Sequence, residues 1–123
     1  MVVVPKPNGG IRLCIDLQKL NKYVRRPYHP SKSSSETISN ISPHSKFFST
    51  LDAKKGYWQV PLDETSQNLT SFIPPLGIFR FLPAPMGLAS SQDKYCARGD
   101  EALQCIDNVE KVVYDILTQG TTA

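Results

Sequence analysis

The chain has 123 residues, enough for one small folding unit but too few for several large ones. Hydrophobic residues make up 40% and charged residues 20%, the balance of an ordinary globular chain rather than a disordered or fibrous one. The net charge of +3 is unevenly spread: residues 1–60 hold ten basic against three acidic residues, and residues 61–123 hold four against eight. A basic first half suits a polyanionic partner, although on charge alone solvated surface lysines and arginines are the better account.

Three cysteines, Cys14, Cys96 and Cys105, are too few and too widely spaced for a disulfide framework or a zinc pattern. Cys14 lies between Leu13 and Ile15 and is expected as a small core residue of a strand. No apolar run is long enough to span a membrane, and Val2-Val3-Val4 is too short for a signal-peptide core. An intracellular location with reduced thiols is therefore expected.

In chain order, residues 2–4 and 11–15 are apolar and β-branched, and Pro7-Asn8-Gly9-Gly10 between them is turn chemistry, which predicts a β-hairpin. Lys6 and Arg12 sit at its two shoulders. Asp16 to Asn21 reads as a turn or short helix, and residues 22–34, with Pro27 and Pro30, as an extended connector. Ser34 or Ser35 is placed to cap a short helix running through Ile41 and ended by Pro43. Phe47–Leu51 predicts a strand that delivers Asp52 at its end. A basic bend closing on Gly56 follows, then Tyr57-Trp58-Gln59, with Trp58 expected in the core. Pro61 argues against a central strand over 56–62.

Phe72-Ile73 and Ile78–Leu82, flanking Pro74-Pro75-Leu76-Gly77, predict a second hairpin. Gln92–Cys105 has helical spacing, and Lys111–Leu117 is a third strand-like run. The polar end, from Thr118 onward, is expected to fray. These patterns alone support a small α+β domain with hairpins and a basic half.

The motifs also fall in one familiar order. Val4-Pro5-Lys6, Gly9-Gly10 and Arg12 through Asn21 resemble the fingers hairpin of the reverse transcriptases of gypsy-type LTR retrotransposons. Arg26-Pro27 to Pro30 resembles the linker that follows there, and Phe48–Leu62 resembles that family's first palm motif. Ser71-Phe72-Ile73, Gly77, Phe79-Arg80-Phe81 and Pro85-Met86-Gly87-Leu88 resemble the next block, and Val112–Leu117 stands where the family has its paired-aspartate strand turn. Each match is weak alone; five in order are specific.

The resemblance implies a partial right-hand polymerase fold of α+β class: about 1–45 fingers-like, about 46–119 palm-like, and 120–123 a frayed tail. It implies RNA-directed DNA polymerisation as the ancestral activity, a nucleotidyl transfer with Mg²⁺ as cofactor and with template–primer RNA or DNA and deoxynucleoside triphosphates as partners. Asp52 and Asp115 match its metal-binding, catalytic carboxylates. Lys6 and Arg12 match the clamp on the triphosphate, Tyr57 the aromatic beneath the sugar, and Met86 and Gly87 the residues beside the nucleotide. From the residues alone, Asp52 reads first as a capping strand-end Asp and Tyr57 first as a half-buried core aromatic, while the hairpin cations read equally as solvated. Gln92 and Tyr95-Cys96 depart from the family's usual Pro and Phe-Gln.

One departure bears on chemistry. The first of the paired-aspartate positions is Tyr114. A phenol titrating near ~10 is neutral at pH 7 and a poor ligand for magnesium, which favours charged or carbonyl oxygens. Asp107 and Glu110, which precede the strand, are expected to face solvent and not to substitute. The expectation is an inactive polymerase fragment of retroelement origin, or alternatively a non-catalytic nucleic-acid-binding remnant or a pseudogene product without function.

Overall fold

The computed structural model describes residues 1–122 and has a mixed architecture of five strands and four helices, with all its β-pairings antiparallel. The chain forms two compact units, each discontinuous in sequence: residues 1–26 with 57–91, and residues 27–56 with 92–123.

In the first unit, β1 (Val2–Pro5) pairs with β2 (Ile11–Cys14) in the predicted hairpin, with Pro5 opposite Ile11. The turn is closed by Lys6 N–H donating to Gly10 O at 2.7 Å, and Gly9 takes φ +79°, a left-handed value its missing Cβ permits. Asn8 Oδ1 accepts from Gly10 N–H, so a side chain supplies part of the turn geometry. The short helix α1 (Gln18–Asn21) follows, as the sequence suggests.

Downstream in the same unit, Phe72 and Phe79 exchange both backbone hydrogen bonds around the Pro74–Gly77 turn, and their rings stack at 6.1 Å. The second predicted hairpin is thus present as a single bridge, not as two strands. Between them α3 (Glu64–Leu69) is capped by Asp63, which accepts from Ser66 N–H at 2.9 Å. The segment around Pro61 is an isolated bridge to Pro83, as a proline without a donor requires. Leu17, Val60, Ala84 and Pro85 are buried here, but Cys14, expected in the core, is only partly covered.

The second unit holds a three-stranded sheet in the order β3–β5–β4: β3 (Phe47–Asp52), β5 (Asp115–Gly120) and β4 (Val109–Val112). The Lys111–Leu117 run, read as one strand, is two strands with a two-residue turn, Val113-Tyr114, between them. The residue pattern alone hid the turn, because Val113 takes φ +53°, a value for which its sequence gives no signal, whereas the family resemblance implies a strand turn in this stretch.

The polar end does not fray at residues 118–120. They complete β5, and Gln119 Oε1 accepts from Ser42 N–H and Ser45 Oγ–H, both at 2.9 Å. The helix α2 (Ser34–Ser39) is capped one residue earlier than expected, by Ser33, and stops at Asn40, short of Ile41.

The long helix α4 (Ala89–Leu103) begins three residues before the predicted start. Its Cys96 is 1% exposed, so the buried thiol is this one, and burial pushes it up from its ordinary pKa. Asp93, buried on the same helix, accepts from His29 N–H at 3.2 Å. Asp100 meets His29 Nε2 at 2.7 Å and the largely buried Lys111 ammonium at 3.0 Å.

Candidate active site

Asp52 ends β3 and Asp115 begins β5, and the register makes them direct cross-strand partners. Ala53 N–H donates to Tyr114 O at 3.2 Å, one step further along the same register. By alternation, Asp52 and Asp115 occupy a non-hydrogen-bonded pair, where side chains on one face stand closest, with Cβ atoms roughly 4.5–5.5 Å apart. Both residues are exposed. The sheet therefore brings together the two carboxylates that the sequence singled out.

Tyr114 lies beside them in the chain but is engaged elsewhere. Its ring faces Tyr95 of α4, with centroids 5.6 Å apart and planes at 35°. Both rings close over Gly56. A Cβ built on that glycine would stand 2.9 Å from Tyr114 Cδ1 and 3.1 Å from Tyr95 Cζ. Gly56 is thus required by the two aromatics and not by its own backbone angles. This partnership was missed in the sequence, where Gly56 reads as the end of a bend, because nothing local ties it to residues 95 and 114.

The turn that presents Tyr114 carries strain. With a positive φ at Val113 alone of its two central residues, it matches the type II′ hairpin turn, which glycine ordinarily opens. A β-branched residue in that region costs on the order of 1–3 kcal/mol, held by the two flanking strands.

The proposed substitutes for the missing ligand are not available. Asp107 is exposed ahead of β4. Glu110, expected in solvent, is instead half-buried in β4 and bound to Lys32 Nζ at 2.6 Å, with its side chain 13% exposed. Position 110 faces the α2 connector and not open water, which the strand pattern alone does not disclose. Among the described residues, no group of three or more His, Cys, Asp or Glu side chains is gathered to hold a metal ion. A three-carboxylate, two-ion site does not fit this donor set.

The other candidate residues belong to the first unit. Lys6 lies in the turn and Arg12 on β2, both exposed. Tyr57 is partly buried within a single 3-10 turn, Gly56–Gln59. Trp58, expected in the core, is 50% exposed, because that turn directs it outward. Met86 and Gly87 sit in the loop before α4, with Gly87 at φ +90°. Asn21 holds that loop with both ends of its amide: Nδ2–H donates to Gly87 O at 2.8 Å, and Oδ1 accepts from Ala89 N–H at 2.9 Å.

The geometry so described is that of a hairpin-bearing unit and a palm-like sheet with opposed carboxylates. Residues 4–119 match the family model of reverse transcriptase (RNA-dependent DNA polymerase), and the chain belongs to that family. It is 33% identical over 107 residues, 87% of its length, to the retrovirus-related Pol polyprotein from transposon gypsy of Drosophila melanogaster. It is 31% identical over the same share to the enzymatic polyprotein of figwort mosaic virus. Among solved structures, the foamy viral protease–reverse transcriptase dRH in complex with double-stranded DNA superposes with a TM-score of 0.89 over 98% of this chain, at 28% identity. The chain spans 10% of the gypsy polyprotein, 16% of the figwort mosaic virus polyprotein and 21% of the foamy viral chain.

Proposed function

We propose that this chain is a fingers-and-palm segment of a retroelement reverse transcriptase that no longer carries out nucleotidyl transfer. The observation that supports this reading is the engagement of Tyr114. The position where the family resemblance calls for a shared metal-binding carboxylate holds a ring packed on Gly56 and Tyr95. Asp52 and Asp115 are left as two carboxylates where the family's mechanism uses three.

Nucleic-acid binding is the function that survives in this reading. Lys6 and Arg12, exposed on the β1–β2 hairpin, suit a phosphate backbone, and Tyr57 and Gly87, with Met86 standing where the family has Phe, fall at the family's nucleotide-side positions. Template–primer and triphosphate are its ancestral partners.

The test compares the chain with its Tyr114→Asp variant. The parent gives no primer extension on an RNA template with Mg²⁺ or Mn²⁺, and weak Mn²⁺ binding by electron paramagnetic resonance. Tyr114→Asp tightens Mn²⁺ binding by about tenfold or more, as a third carboxylate at a hard-ion site should. Filter binding of single-stranded RNA persists in the parent and falls steeply with salt. Primer extension by the parent chain would overturn the proposal.

A further inference from the structure

Within the first unit, α1 and the loop before α4 are joined through one side chain. α1 ends on Asn21, whose own N–H donates to Leu17 O at 2.8 Å. Leu17 is buried, so the interior sets where residue 21 stands. From there the Asn21 carboxamide spans 66 and 68 residues of sequence to grip Gly87 O and Ala89 N–H. An amide has one donor end and one acceptor end, and each is matched here to a backbone group of the opposite kind.

The loop has a second tie. The buried Ser91 donates its hydroxyl to Pro85 O at 2.9 Å, and Pro85 is itself fully buried. Between the two ties one large side chain, Met86, is left more than half exposed.

Only the Asn21 tie selects a conformation at Gly87. That residue stands at φ +90°, and a Cβ built there would meet nothing nearer than Ile15 O at 4.0 Å. Crowding therefore does not impose the positive φ, and a glycine takes either sign about as readily. Holding Gly87 O and Ala89 N–H on one carboxamide fixes the backbone between them. Without that grip the loop divides its population among conformers.

We propose that Asn21 is a positioning residue for nucleic-acid binding, which keeps the Met86–Gly87 surface in the one conformation that single-stranded RNA meets. This rests on the reading that the chain retains nucleic-acid binding. Lys6 and Arg12 supply the attraction for phosphate, and Asn21 supplies a loop already ordered when the RNA arrives. Apparent affinity scales with the fraction of chains whose loop is in place.

The test is filter binding of a single-stranded RNA oligonucleotide across a salt series, with urea melts of the same proteins. Asn21→Ala raises the dissociation constant about tenfold or more and leaves the salt slope unchanged, because no phosphate contact is lost. Lys6→Ala, by contrast, makes the slope shallower. Gly87→Ala disfavours positive φ and weakens binding in the same way. The double variant binds no worse than the weaker of the two single ones, since both empty the same conformer.

Asn21→Asp keeps the reading open if Asn21→Ala unfolds. Its carboxylate still accepts from Ala89 N–H at the start of α4, where negative charge is favoured, but it has no proton for Gly87 O. It melts no earlier than the parent and yet binds RNA more weakly than Lys22→Ala, which controls for one unit of charge at the neighbouring exposed position. Asn21 variants that lose stability but bind RNA like the parent make this residue a helix cap only and overturn the inference. A shallower salt slope in Asn21→Ala also overturns it, because the side chain would then be meeting phosphate itself. A parent chain that binds no RNA at low salt removes the nucleic-acid reading, and the inference with it.

Discussion

At the residue scale, the candidate site turns on how Gly56, Tyr95 and Tyr114 fit together. An added methyl at position 56 would meet ring carbons at 2.9 and 3.1 Å, and rings are stiff, so the neighbours must shift as bodies. Gly56→Ala should therefore destabilise the fold by about 1–3 kcal/mol, the usual cost of overpacking. In a Tyr114→Asp background most of that penalty should vanish, leaving the contact with Tyr95. Urea melts of the two single variants and the double variant measure the coupling directly, and additive losses would show that Gly56 is needed for another reason. Only part of this was legible in advance. Asp52 and Asp115 stood out because strand ends and a motif frame them, and the register then set them face to face. The engagement of Tyr114 was hidden, since a residue's identity tells what it cannot ligate but not where its ring goes.

Asp100 makes a second residue-scale argument. Burial pushes its carboxyl up, but the hydrogen bonds from His29 and Lys111 and the positive charge of Lys111 outweigh this, and its pKa lies below the ordinary 3.8. A depressed carboxyl contributes stability that is fully present above the unfolded value and is lost as pH falls through the folded one. Acid melts should accordingly show a loss of stability below 3.8 that Asp100→Asn reduces, with the variant less stable than the parent at neutral pH. An acid limb unchanged by Asp100→Asn would mean that the carboxylate is not the group being titrated.

At the scale of elements, local chemistry decides the boundaries. The cap expected at Ser34 or Ser35 falls one residue earlier, because spacing to an acid three residues on decides it: only Ser33 stands opposite Glu36. The full capping box forms, with Glu36 N–H donating to Ser33 Oγ at 3.2 Å and Ser33 N–H donating to Glu36 Oε2 at 2.6 Å. Ser33→Ala should cost about 1 kcal/mol, read as a lowered urea midpoint, whereas Ser34→Ala should be nearly silent. The hairpin at Pro7–Gly10 was legible for the same reason, because Asn and Gly announce positive φ. The β4–β5 hairpin was legible only through the family resemblance, because its turn is opened by a valine held there by its strands. The Gln119 side chain explains why a polar tail became strand: one amide fixes the Ser42–Ser45 loop against the end of β5.

At the scale of the whole molecule, burial is sparse. Among the described residues, the buried apolar side chains are Leu17, Val60, Ala84 and Cys96, with Pro85 beside them. Ile11, Leu13, Tyr23, Ile73, Leu76 and Ile78, by contrast, are more than half exposed. Hydrophobic burial contributes roughly 25 cal/mol per Å² and must offset the conformational entropy of more than a hundred ordered residues. With so many large side chains in water, that balance falls close to zero, and division into two units, each with its own small interior, leaves less to bury per residue. The purified chain at low concentration should therefore melt below about 50 °C, at the lower end of the mesophile range, and bind an apolar dye before it unfolds. A reversible, cooperative transition of the monomer above about 50 °C would show that the exposed apolar surface costs less than this balance requires.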